Sequence, residues 1–427
     1  MRILLHQVLI TDPASPFHGK RETILIENGV IAHIGNTSSE SDIYIDGTSL
    51  SVSQGWVDIR AYNGEPGLEH KDDLTSLTKS AAFGGFTQVA VMPNTHPVIQ
   101  SKDAILSLSQ RSLHNLVKFL PLGAASIDLK GESMTEILDL VNAGAIAFSD
   151  GDKPMKNPAL VVLLLQYLSQ VNGLLIVKPE DKHLSAGGQM NEGITSTYLG
   201  LKGMPGMAES LQLQRDIELL KYAGGRLHVA GISTEASVEM IRKAKKSGLN
   251  ITADINFYQV ILDDSQLNTF DTNHKVNPPY RTKKDIKALL KGLEDGTIDA
   301  IATGHHGQDV ESKKLEFDLA DFGILGLETA FAALNSTVSP MIGLDKVLEK
   351  ITTAPRKLLS LPENTIKVGE KADLTLFDPN YSWIFSAKDI QSKSVNTPFV
   401  GTAFKGKAMG IIRNNQFSFA PEISVSK

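Results

Sequence analysis

The sequence predicts an α/β protein built on a (β/α)8 TIM barrel, with a small composite β-sandwich module formed by both chain ends. From Gly55 onward, short apolar strands alternate with helical patterns, which is typical of βα units around a parallel sheet. Eight such strands can be counted, the number that closes a barrel. Short strand patterns precede this region and return after Lys367, so the two chain ends are expected to pack together.

The strands of the module are separated by turn residues. Asn28-Gly29 and Asp46-Gly47 are hairpin signals, because such pairs adopt the positive φ angles of two-residue turns. We expect residues 1–53 and 365–427 to form the module and residues 54–364 to form the barrel. The strands expected in the module are Ile3–Ile10, Thr23–Glu27, Val30–Ile34, Ile43–Ile45, Asp373–Phe377 and Lys405–Arg413.

The barrel is predicted from alternating strand and helix patterns. Its strands are expected at Trp56–Ile59, Thr87–Met92, Lys118–Leu122, Ala145–Phe148, Leu174–Val177, Arg226–Ile232, Ile251–Ile255 and Ala300–Thr303. Helices are expected at Asp72–Phe83, Thr135–Val141, Ala159–Gln170, Met207–Tyr222, Thr234–Ser247 and Lys283–Leu293. Thr234 is a suitable N-cap, because its hydroxyl can accept a backbone hydrogen bond of the first turn. The glycine-rich stretch Ser185–Gly200 is expected to be a loop over one barrel mouth.

Composition and charge exclude several classes of function. The net charge of −6 provides no basic surface for nucleic acid or an anionic membrane, and no apolar run approaches the ~20 residues that cross a bilayer. The chain has no cysteine, which excludes disulfides and thiolate ligands and leaves 11 histidines and the carboxylates as candidate metal ligands. A cytoplasmic protein is expected.

The stretch GWVDIRAYNGEPG, residues 55–67, is interpreted as the first barrel strand and the loop after it. Catalytic residues of such barrels lie at the carboxyl ends of the strands. Here that position holds Arg60, Tyr62 and Asn63, and none of these side chains is a good metal ligand. The first loop therefore lacks the ligands that a catalytic metal centre would need.

Several segments, in order along nearly the whole chain, resemble a known family. They are GEPG (64–67), AAFGGFT (81–87), MPNT (92–95), FSD (148–150), NPPYRT (277–282), DGTIDAIAT (295–303), FGILGLET (322–329), KADLTLFD (371–378) and NTPFVG (396–401). In their order and spacing they resemble the dihydroorotase branch of the amidohydrolase superfamily. The resemblance implies a barrel of the metal-dependent hydrolase type, whose zinc centre closes or hydrolyses the cyclic amide of dihydroorotate in pyrimidine biosynthesis.

The family's metal-ligand positions mostly hold unsuitable residues in this chain. Zinc in such a centre is bound by neutral imidazoles and carboxylates, and its bound water becomes a nucleophile near neutral pH. By the resemblance, the replaced positions are Arg60 and Tyr62 for the first-strand histidines, Lys178 and Gly231 for the fifth- and sixth-strand histidines, and Gly304 for the eighth-strand aspartate, the general base. Only the fourth-strand acidic position can be filled, by Asp150 or by Asp152. No bound metal and no catalytic residue are therefore expected.

Two of four substrate-side positions of the family's pocket are retained, so we expect a vestigial substrate pocket. Asn94 and Asn277 match the substrate-side asparagines of the family. In contrast, Gly64 stands where an arginine holds the substrate carboxylate, and Gln308 stands where an active-site histidine is usual.

An unorthodox metal arrangement is the competing interpretation of the strand ends. Its candidate ligands are His305, His306, Asp150, Asp152 and Asp254. Adjacent side chains on an extended segment diverge, so His305 and His306 are expected to bond to backbone or water instead. His228 is expected to be a buried barrel histidine with satisfied hydrogen bonds.

Lys178 also has two interpretations. A carbamylated or Schiff-base lysine would be chemically active, but no other nucleophile is positioned by the sequence, which favours a simple ion pair in the space left by a metal. Tyr62 is expected to fill volume in the same way. Asp150 is expected to pair with Arg60.

Three functions are compatible with these residues. Noncatalytic dihydroorotase-like members lack the zinc ligands and associate with aspartate carbamoyltransferase. We expect such a pseudoenzyme, without cofactor, as a structural or regulatory partner of that transferase and as a homo-oligomer. The alternative is an active dihydroorotase, or another cyclic amidohydrolase, with an unorthodox metal site. A second alternative is a sensor in which Arg60, Lys178 and Asn94 hold an anion or metabolite.

Overall fold

The computed structural model describes residues 1–37, 40–423 and 425–426. Its N-terminal part forms the strands β1 (Arg2–Ile10), β2 (Arg21–Glu27), β3 (Val30–Ile34), β4 (Ile43–Asp46) and β5 (Ser51–Gln54). The strand β1 is the centre of this region, because it is antiparallel to β2 and parallel to both β4 and β5. Aliphatic side chains from these strands enclose an apolar core separate from that of the barrel.

Eight parallel strands in chain order form the barrel, which confirms the predicted fold class. They are β6 (Trp56–Ala61), β7 (Phe86–Val91), β8 (Lys118–Ala124), β9 (Ala147–Ser149), β10 (Leu175–Val177), β13 (Leu227–Val229), β14 (Ile251–Asn256) and β15 (Ala300–Ala302), while β11 (Met190–Asn191) and β12 (Gly203–Met204) form a separate pair between β10 and β13. The barrel closes where β15 meets β6. There Ala61 and His305 form a parallel bridge, and the Thr303 N–H and hydroxyl donate to Asp58 at 2.9 and 2.6 Å.

Helices cover the outside of the barrel. They are α1 (Leu74–Gly84), α2 (Lys102–Leu113), α3 (Ile137–Asn142), α4 (Pro158–Ser169), α5 (Ile194–Leu199), α6 (Gly206–Ala223), α7 (Glu235–Lys246), α8 (Lys283–Glu294), α9 (Val310–Lys313), α10 (Ala330–Thr337), α11 (Ser339–Ile342), α12 (Leu344–Ile351) and α13 (Thr353–Leu358). Thr234 caps α7 as predicted, since its side chain accepts the Ser237 N–H. Every helix in the described ranges is too short or too polar to cross a membrane.

The barrel sheet is buried on both faces, which explains its nearly continuous apolar strands. Successive residues alternate between two apolar clusters. Phe119 and Leu175 belong to the cluster shared with the helices, whereas their neighbours Leu120 and Ile176 belong to the cluster inside the barrel. The candidate site lies where the carboxyl ends of these strands meet.

The C-terminal part completes the sheet begun at the N-terminus. Its strands are β16 (Leu374–Ile384), β17 (Ala403–Arg413), β18 (Gln416–Phe419) and β19 (Val425–Ser426). The strand β16 is antiparallel to both β5 and β17, and β19 is antiparallel to β4, so nine strands from both chain ends share one hydrogen-bonded sheet. The residue boundaries between this module and the barrel stay a prediction.

Two local expectations differ from the structure. Asn28-Gly29 joins the antiparallel pair β2 and β3, but Asp46-Gly47 does not make a hairpin, because β4 and β5 both run parallel to β1. Gly47 instead donates its N–H to the His6 carbonyl at 2.7 Å. The stretch Ser185–Gly200 is not a plain loop, since it contains β11 and α5, and Gly200 ends α5 in the left-handed conformation at φ 69°.

Candidate functional site

The carboxyl ends of the barrel strands open into a cavity of about 880 Å³. Parallel strands all point the same way, so the residues that follow them meet at one mouth. The predicted site residues that line this cavity are Arg60, Tyr62, Gly64, Asn94, Asp152, Lys178, Asn277, Gly304 and Gln308. Gly231 lines a small adjoining pocket. The sequence therefore identified residues that the fold brings together.

Arg60 lines the cavity and belongs to a buried polar network. Its Nη2 donates to Asp254 Oδ1 at 2.7 Å and to Asn256 Oδ1 at 2.6 Å. Asp254 also accepts the backbone N–H of Gly231 at 2.8 Å, and its second oxygen lies 2.8 Å from His228 Nε2. Burial alone would lower the pKa of Arg60, but Asp254 raises it. The guanidinium is therefore a fixed cation.

Asp254, and not Asp150, is the partner of Arg60, so the predicted pairing is wrong. Burial would raise the pKa of Asp254, but Arg60 and then His228 hold it below its ordinary value, and the carboxylate stays ionised. Asp150 accepts hydrogen bonds from the Ser126 N–H at 2.8 Å and from the Ser126 hydroxyl. Burial raises the pKa of Asp150.

Two glycines leave the space that this network fills. Gly231 and Gly304 adopt positive φ angles of 64° and 59°. A Cβ at Gly231 would lie 3.5 Å from Arg60 Nη2, and a Cβ at Gly304 would lie 2.6 Å from Asn256 Oδ1. A Cβ at Gly231 would make an ordinary contact with the guanidinium, whereas a Cβ at Gly304 would force Asn256 to move.

We expect Gly304→Ala to destabilise the protein more than Gly231→Ala. Left-handed backbone costs a residue with a Cβ about 1–2 kcal/mol, and both variants carry that cost. Only the Cβ at residue 304 also meets Asn256 at a distance that forces a shift. Urea unfolding of the two variants measures the difference. Equal losses of unfolding free energy would contradict the packing that we describe.

Tyr62 and His306 stack against each other in the cavity. Their ring centroids are 3.9 Å apart and their planes differ by 13°. Burial raises the pKa of Tyr62 and lowers that of His306 to about 4, so both rings are uncharged at neutral pH. The pair therefore forms an uncharged part of the cavity wall.

His305 and His306 diverge, as expected, but their partners are side chains and not only backbone or water. His305 Nε2 lies 3.1 Å from Asp72 Oδ2, and the N–H of Gly326 donates to its Nδ1 at 3.3 Å. Burial lowers the pKa of His305, but Asp72 and other nearby carboxylates raise it more. Both ring nitrogens of this buried histidine therefore already have partners.

Lys178 makes an ion pair with Glu180, with 2.8 Å between Nζ and Oε2. Glu180 also accepts from Asn277 Nδ2 at 3.1 Å and from the Ser185 hydroxyl at 2.6 Å. Burial would raise the pKa of Glu180, but the charge of Lys178 lowers it to about 2. The arrangement favours the ion-pair interpretation of Lys178 over a reactive lysine.

The remaining substrate-side positions have internal partners. Asn94 Nδ2 donates to Asp152 Oδ1 at 2.8 Å, while Asn94 Oδ1 is buried without a hydrogen-bond partner among the described residues. Gln308 donates to the Phe322 carbonyl at 2.7 Å and its Oε1 accepts from Lys71 at 2.6 Å.

At Gly64 the fold leaves no space for a side chain. A Cβ there would lie 2.1 Å from the Leu68 carbonyl oxygen.

The residues at this mouth do not fit a zinc ion. Within residues 1–37, 40–423 and 425–426, no group of three or more histidine and carboxylate side chains is arranged to hold a metal. Asp254, one of the candidate ligands, already pairs with Arg60 and with His228, the expected buried barrel histidine. A permanent cation in the centre would also repel a divalent ion.

Sequence reasoning missed two residues of this network, Asn256 and Tyr258. Asn256 Nδ2 donates to the Tyr258 hydroxyl at 2.8 Å, which orients its carbonyl oxygen towards Arg60. The signal was present, because Asp254 and Asn256 are two residues apart on one strand and therefore face the same side. Nothing in the sequence pattern indicated that Arg60 would be their shared donor.

Known proteins resemble this chain along nearly its full length. A family model described as dihydro-orotase-like matches residues 51–237, and the amidohydrolase family model matches residues 189–414. A dihydroorotase of Syntrophus aciditrophicus is 38% identical over 414 residues, covering 96% of this chain and 97% of the relative. A dihydroorotase of Thermoanaerobacter sp. is 42% identical over 389 residues, covering 90% of each chain.

Solved structures with the same fold include hydantoinases. An L-hydantoinase from Arthrobacter aurescens superposes with a TM-score of 0.85 at 23% identity, covering 99% of this chain and 98% of that enzyme. A D-hydantoinase gives a TM-score of 0.82 at 21% identity, covering 98% of this chain and 96% of that enzyme. At these identities the likeness concerns the fold alone.

Proposed function

The chain belongs to the dihydroorotase-like branch of the amidohydrolase family, and we propose that it is a noncatalytic member of that family. It would serve pyrimidine biosynthesis without a metal and without turnover, as a structural or regulatory partner of aspartate carbamoyltransferase in the cytoplasm. The observation that supports this proposal is the guanidinium of Arg60, which lines the cavity and donates to Asp254 at 2.7 Å and to Asn256 at 2.6 Å.

The chemistry of the side chains at the mouth, which would have to serve as metal ligands, supports the absence of catalysis. A zinc hydrolase needs neutral imidazoles and carboxylates with an open position for water. Here a fixed cation, the stacked Tyr62 and His306, and the Lys178–Glu180 ion pair occupy the mouth. Gly304 offers no carboxylate to act as a general base.

Metal content and turnover test the proposal directly. We expect the purified protein, incubated with zinc and then desalted, to retain far less than one ion per chain. We expect no cyclisation of carbamoyl aspartate above a buffer blank. An active dihydroorotase handled identically is the control, and stoichiometric zinc with measurable turnover would overturn the proposal.

Association with aspartate carbamoyltransferase tests the proposed role. Co-expression followed by size-exclusion chromatography should give one peak that contains both chains. The transferase alone should run at a different position or lose activity sooner on heating. Two proteins that never comigrate, with the transferase unaffected, would refute the partnership while leaving the prediction about metal content standing.

The active enzyme remains the second candidate, because the similar chains from Syntrophus and Thermoanaerobacter are named dihydroorotases. Asn94 and Asn277 lie in the cavity where a substrate would bind. Against this candidate, Asn277 donates to Glu180 and Asn94 donates to Asp152, so each already has an internal partner. The metal and turnover measurements separate the two candidates.

The sensor is supported less by the geometry. Arg60 and Lys178 were its expected anion-binding groups, and each is paired with a buried carboxylate of the chain itself. A bound anion would have to compete with Asp254 or Glu180 for these cations. The absence of thermal shifts with carbamoyl aspartate or nucleotides would argue against it.

A further inference from the structure

Four positively charged side chains lie together at the end of the barrel opposite the cavity. Lys118 is the first residue of β8, so it lies at the amino ends of the barrel strands, whereas the cavity lies at their carboxyl ends. Arg356 comes from α13, and Lys371 and Arg413 come from the C-terminal part of the chain, whose strands β16 and β17 both contact β7. We call Lys118, Arg356, Lys371 and Arg413 the basic cluster.

One carboxylate, that of Asp373, lies within the basic cluster. Gln88 is the register partner of Lys118 in the barrel sheet, and its Nε2 donates to Asp373 Oδ2 at 2.7 Å. The same carboxylate oxygen lies 3.0 Å from Arg356 Nη2. These contacts place Arg356 beside the start of β8.

Arg413, the last residue of β17, reaches the start of β8 from the other side. Its Nη1 donates to the carbonyl oxygens of Asn115 at 3.0 Å and Leu116 at 3.4 Å, and Leu116 lies two residues before Lys118. Both acceptors are neutral, so they leave the guanidinium charge uncompensated. Lys118 and Arg413 are each half-buried, so a solute can reach them both.

The basic cluster has more positive charge than Asp373 can balance. Lys118 makes no hydrogen bond or ion pair within the described part of the chain. Burial lowers the pKa of Lys118, and the positive charge of Arg413 lowers it further, with smaller effects of Arg356 and Lys371 in the same direction. Charged groups removed from water normally have a partner of opposite sign. A bound anion would supply the partner that Lys118 lacks.

Arg356 gives a second, independent indication of a ligand. It is 5% exposed, and its Nη2 donates to the Gly55 carbonyl at 2.9 Å as well as to Asp373. Its Nε is buried without a hydrogen-bond partner among the described residues, which is costly for a charged group. Asp373 Oδ1 also lacks a partner, but it packs against the backbone of Gly55, where a Cβ would lie 2.1 Å from it.

We propose that the basic cluster binds the phosphate group of a small anionic ligand. A phosphate carries a charge between −1 and −2 near neutral pH, and its oxygens accept hydrogen bonds from both guanidinium and ammonium groups. A carboxylate would add one charge only, which Asp373 already provides. The inference does not depend on the proposed function, because none of the four residues lines the cavity.

A phosphate bound here would join separate parts of the fold. Lys118 belongs to the barrel sheet and Arg413 to the sheet formed by both chain ends. An anion between them would replace repulsion of like charges by two attractive contacts. A ligand that binds only the folded protein raises its stability, so binding can be followed by thermal unfolding.

Inorganic phosphate tests the site in the full-length protein. At about 20 mM phosphate and pH 7, we expect the wild-type melting temperature to rise by at least about 2 °C relative to sodium chloride of equal ionic strength. Phosphate also stabilises proteins without binding, because it is excluded from their surface. The decisive quantity is therefore the difference between the wild type and Lys118→Met, which should show only this general effect.

Two controls separate binding from loss of structure. Without phosphate, Lys118→Met should melt at or above the wild-type temperature, because it removes a cation that faces other cations. Lys221→Met changes an exposed lysine on α6, and its response to phosphate should equal that of the wild type. Circular dichroism confirms that each variant is folded.

A phosphate-bearing aldehyde gives an independent readout. Pyridoxal 5′-phosphate condenses with an uncharged lysine amine to an imine with loss of water, and borohydride reduces the imine to a stable secondary amine. Mass spectrometry of peptides then locates the label. We expect Lys118 to be labelled faster than Lys221, and inorganic phosphate to protect Lys118 but not Lys221.

A rise in melting temperature that Lys118→Met loses, together with protection of Lys118 by phosphate, supports the proposal. Equal shifts in the wild type and Lys118→Met, or labelling of Lys118 that phosphate does not change, overturns it. Succinate that stabilises the wild type as much as phosphate would also overturn the assignment to phosphate. Phenyl phosphate distinguishes the two sources of the group, since a larger rise than with inorganic phosphate supports a phosphate ester and a smaller one supports the free ion.

Discussion

Replacing Arg60 with methionine is expected to lower the free energy of unfolding by about 3–5 kcal/mol, the range found when one partner of a buried ion pair is removed. Arg60 and Asp254 are 2.7 Å apart, and their side chains are only 10% and 1% exposed. Methionine fills much of the same volume but leaves the Asp254 carboxylate in a buried position without its cation. It also leaves Asn256 Oδ1 without the guanidinium donor. Urea unfolding at pH 7 measures the loss.

A double variant distinguishes lost charge pairing from lost packing. In Arg60→Met/Asp254→Asn both charges are removed, so the double variant should be more stable than Arg60→Met alone. Lys284→Met is the surface control, because Lys284 pairs with Glu235 at 2.6 Å while being 77% exposed, and it should leave stability nearly unchanged. If the double variant is as unstable as the sum of its single changes, the ion pair is not the source of the effect.

Zinc should not rescue Arg60→Met. Removing the guanidinium leaves Asp254 and its neighbour His228 as potential ligands. Gly231 and Gly304 still have no side chain that could add a third. Two ligands are too few for a structural or catalytic zinc site. The melting temperature of Arg60→Met should therefore be the same with zinc and with a chelator. A zinc-dependent rise would mean that the mouth still contains a usable metal site.

The sequence was sufficient to predict the barrel, because each strand is a short apolar run between turn residues or helical patterns. The strand-end argument placed Arg60 at the mouth, and the family resemblance added Lys178 and Gly304, which line the same cavity. The expectation that Arg60 and Lys178 exclude a metal rests on their positive charge, which the sequence shows directly. None of these inferences requires the position of an individual atom.

The partner of Arg60 could not be predicted in the same way. Asp150 follows β9 and Asp254 lies on β14, and the choice between them depends on which carboxylate the Arg60 side chain reaches. Asp150 is held by Ser126, whereas Asp254 is aimed by His228 and by the Gly231 N–H. These contacts join residues far apart in the chain, so periodicity and spacing contain no information about them.

The predicted hairpin at Asp46-Gly47 in the N-terminal module was wrong for a related reason. Asp46-Gly47 has the sequence of a hairpin turn, but tertiary pairing decides where the chain goes next. Here β1 pairs with both β4 and β5 as parallel neighbours, and the chain continues along the same edge of β1 instead of folding back. A turn signal indicates that the chain bends, and strand pairing decides the direction.

A second buried carboxylate, that of Asp58, lies close to Arg60 where β15 meets β6 and the barrel closes. Asp58 lies on β6, is fully buried, and accepts the N–H and hydroxyl of Thr303 on the opposite side of the seam. Its nearest cation, Arg60, is committed to Asp254. Burial therefore dominates and raises the pKa of Asp58 from 3.8 to about 6, against the smaller opposing effect of its hydrogen bonds.

We expect Asp58→Asn to stabilise the protein by up to about 3 kcal/mol at pH 7, because each pKa unit corresponds to about 1.4 kcal/mol. A carboxyl whose pKa is raised on folding binds more protons in the folded state than in the unfolded state between pH 3.8 and about 6. Its contribution to stability therefore falls as pH rises through that window and is constant above it. Asparagine keeps the shape and can still accept the Thr303 N–H, but it carries no charge to bury.

The difference in unfolding free energy between Asp58→Asn and the wild type should depend on pH, and this dependence identifies the cause of the gain. The gain from Asp58→Asn should be small near pH 4, should grow between pH 4 and 6 and should be constant from pH 7 to 8, because the other carboxylates are common to both proteins. The control is Asp46→Asn, at an exposed carboxylate whose pKa is lowered by hydrogen bonds from Thr48, and its effect should be flat above pH 5. A gain from Asp58→Asn that does not vary with pH would point to repacking at the seam, since relief of a buried charge must follow its titration.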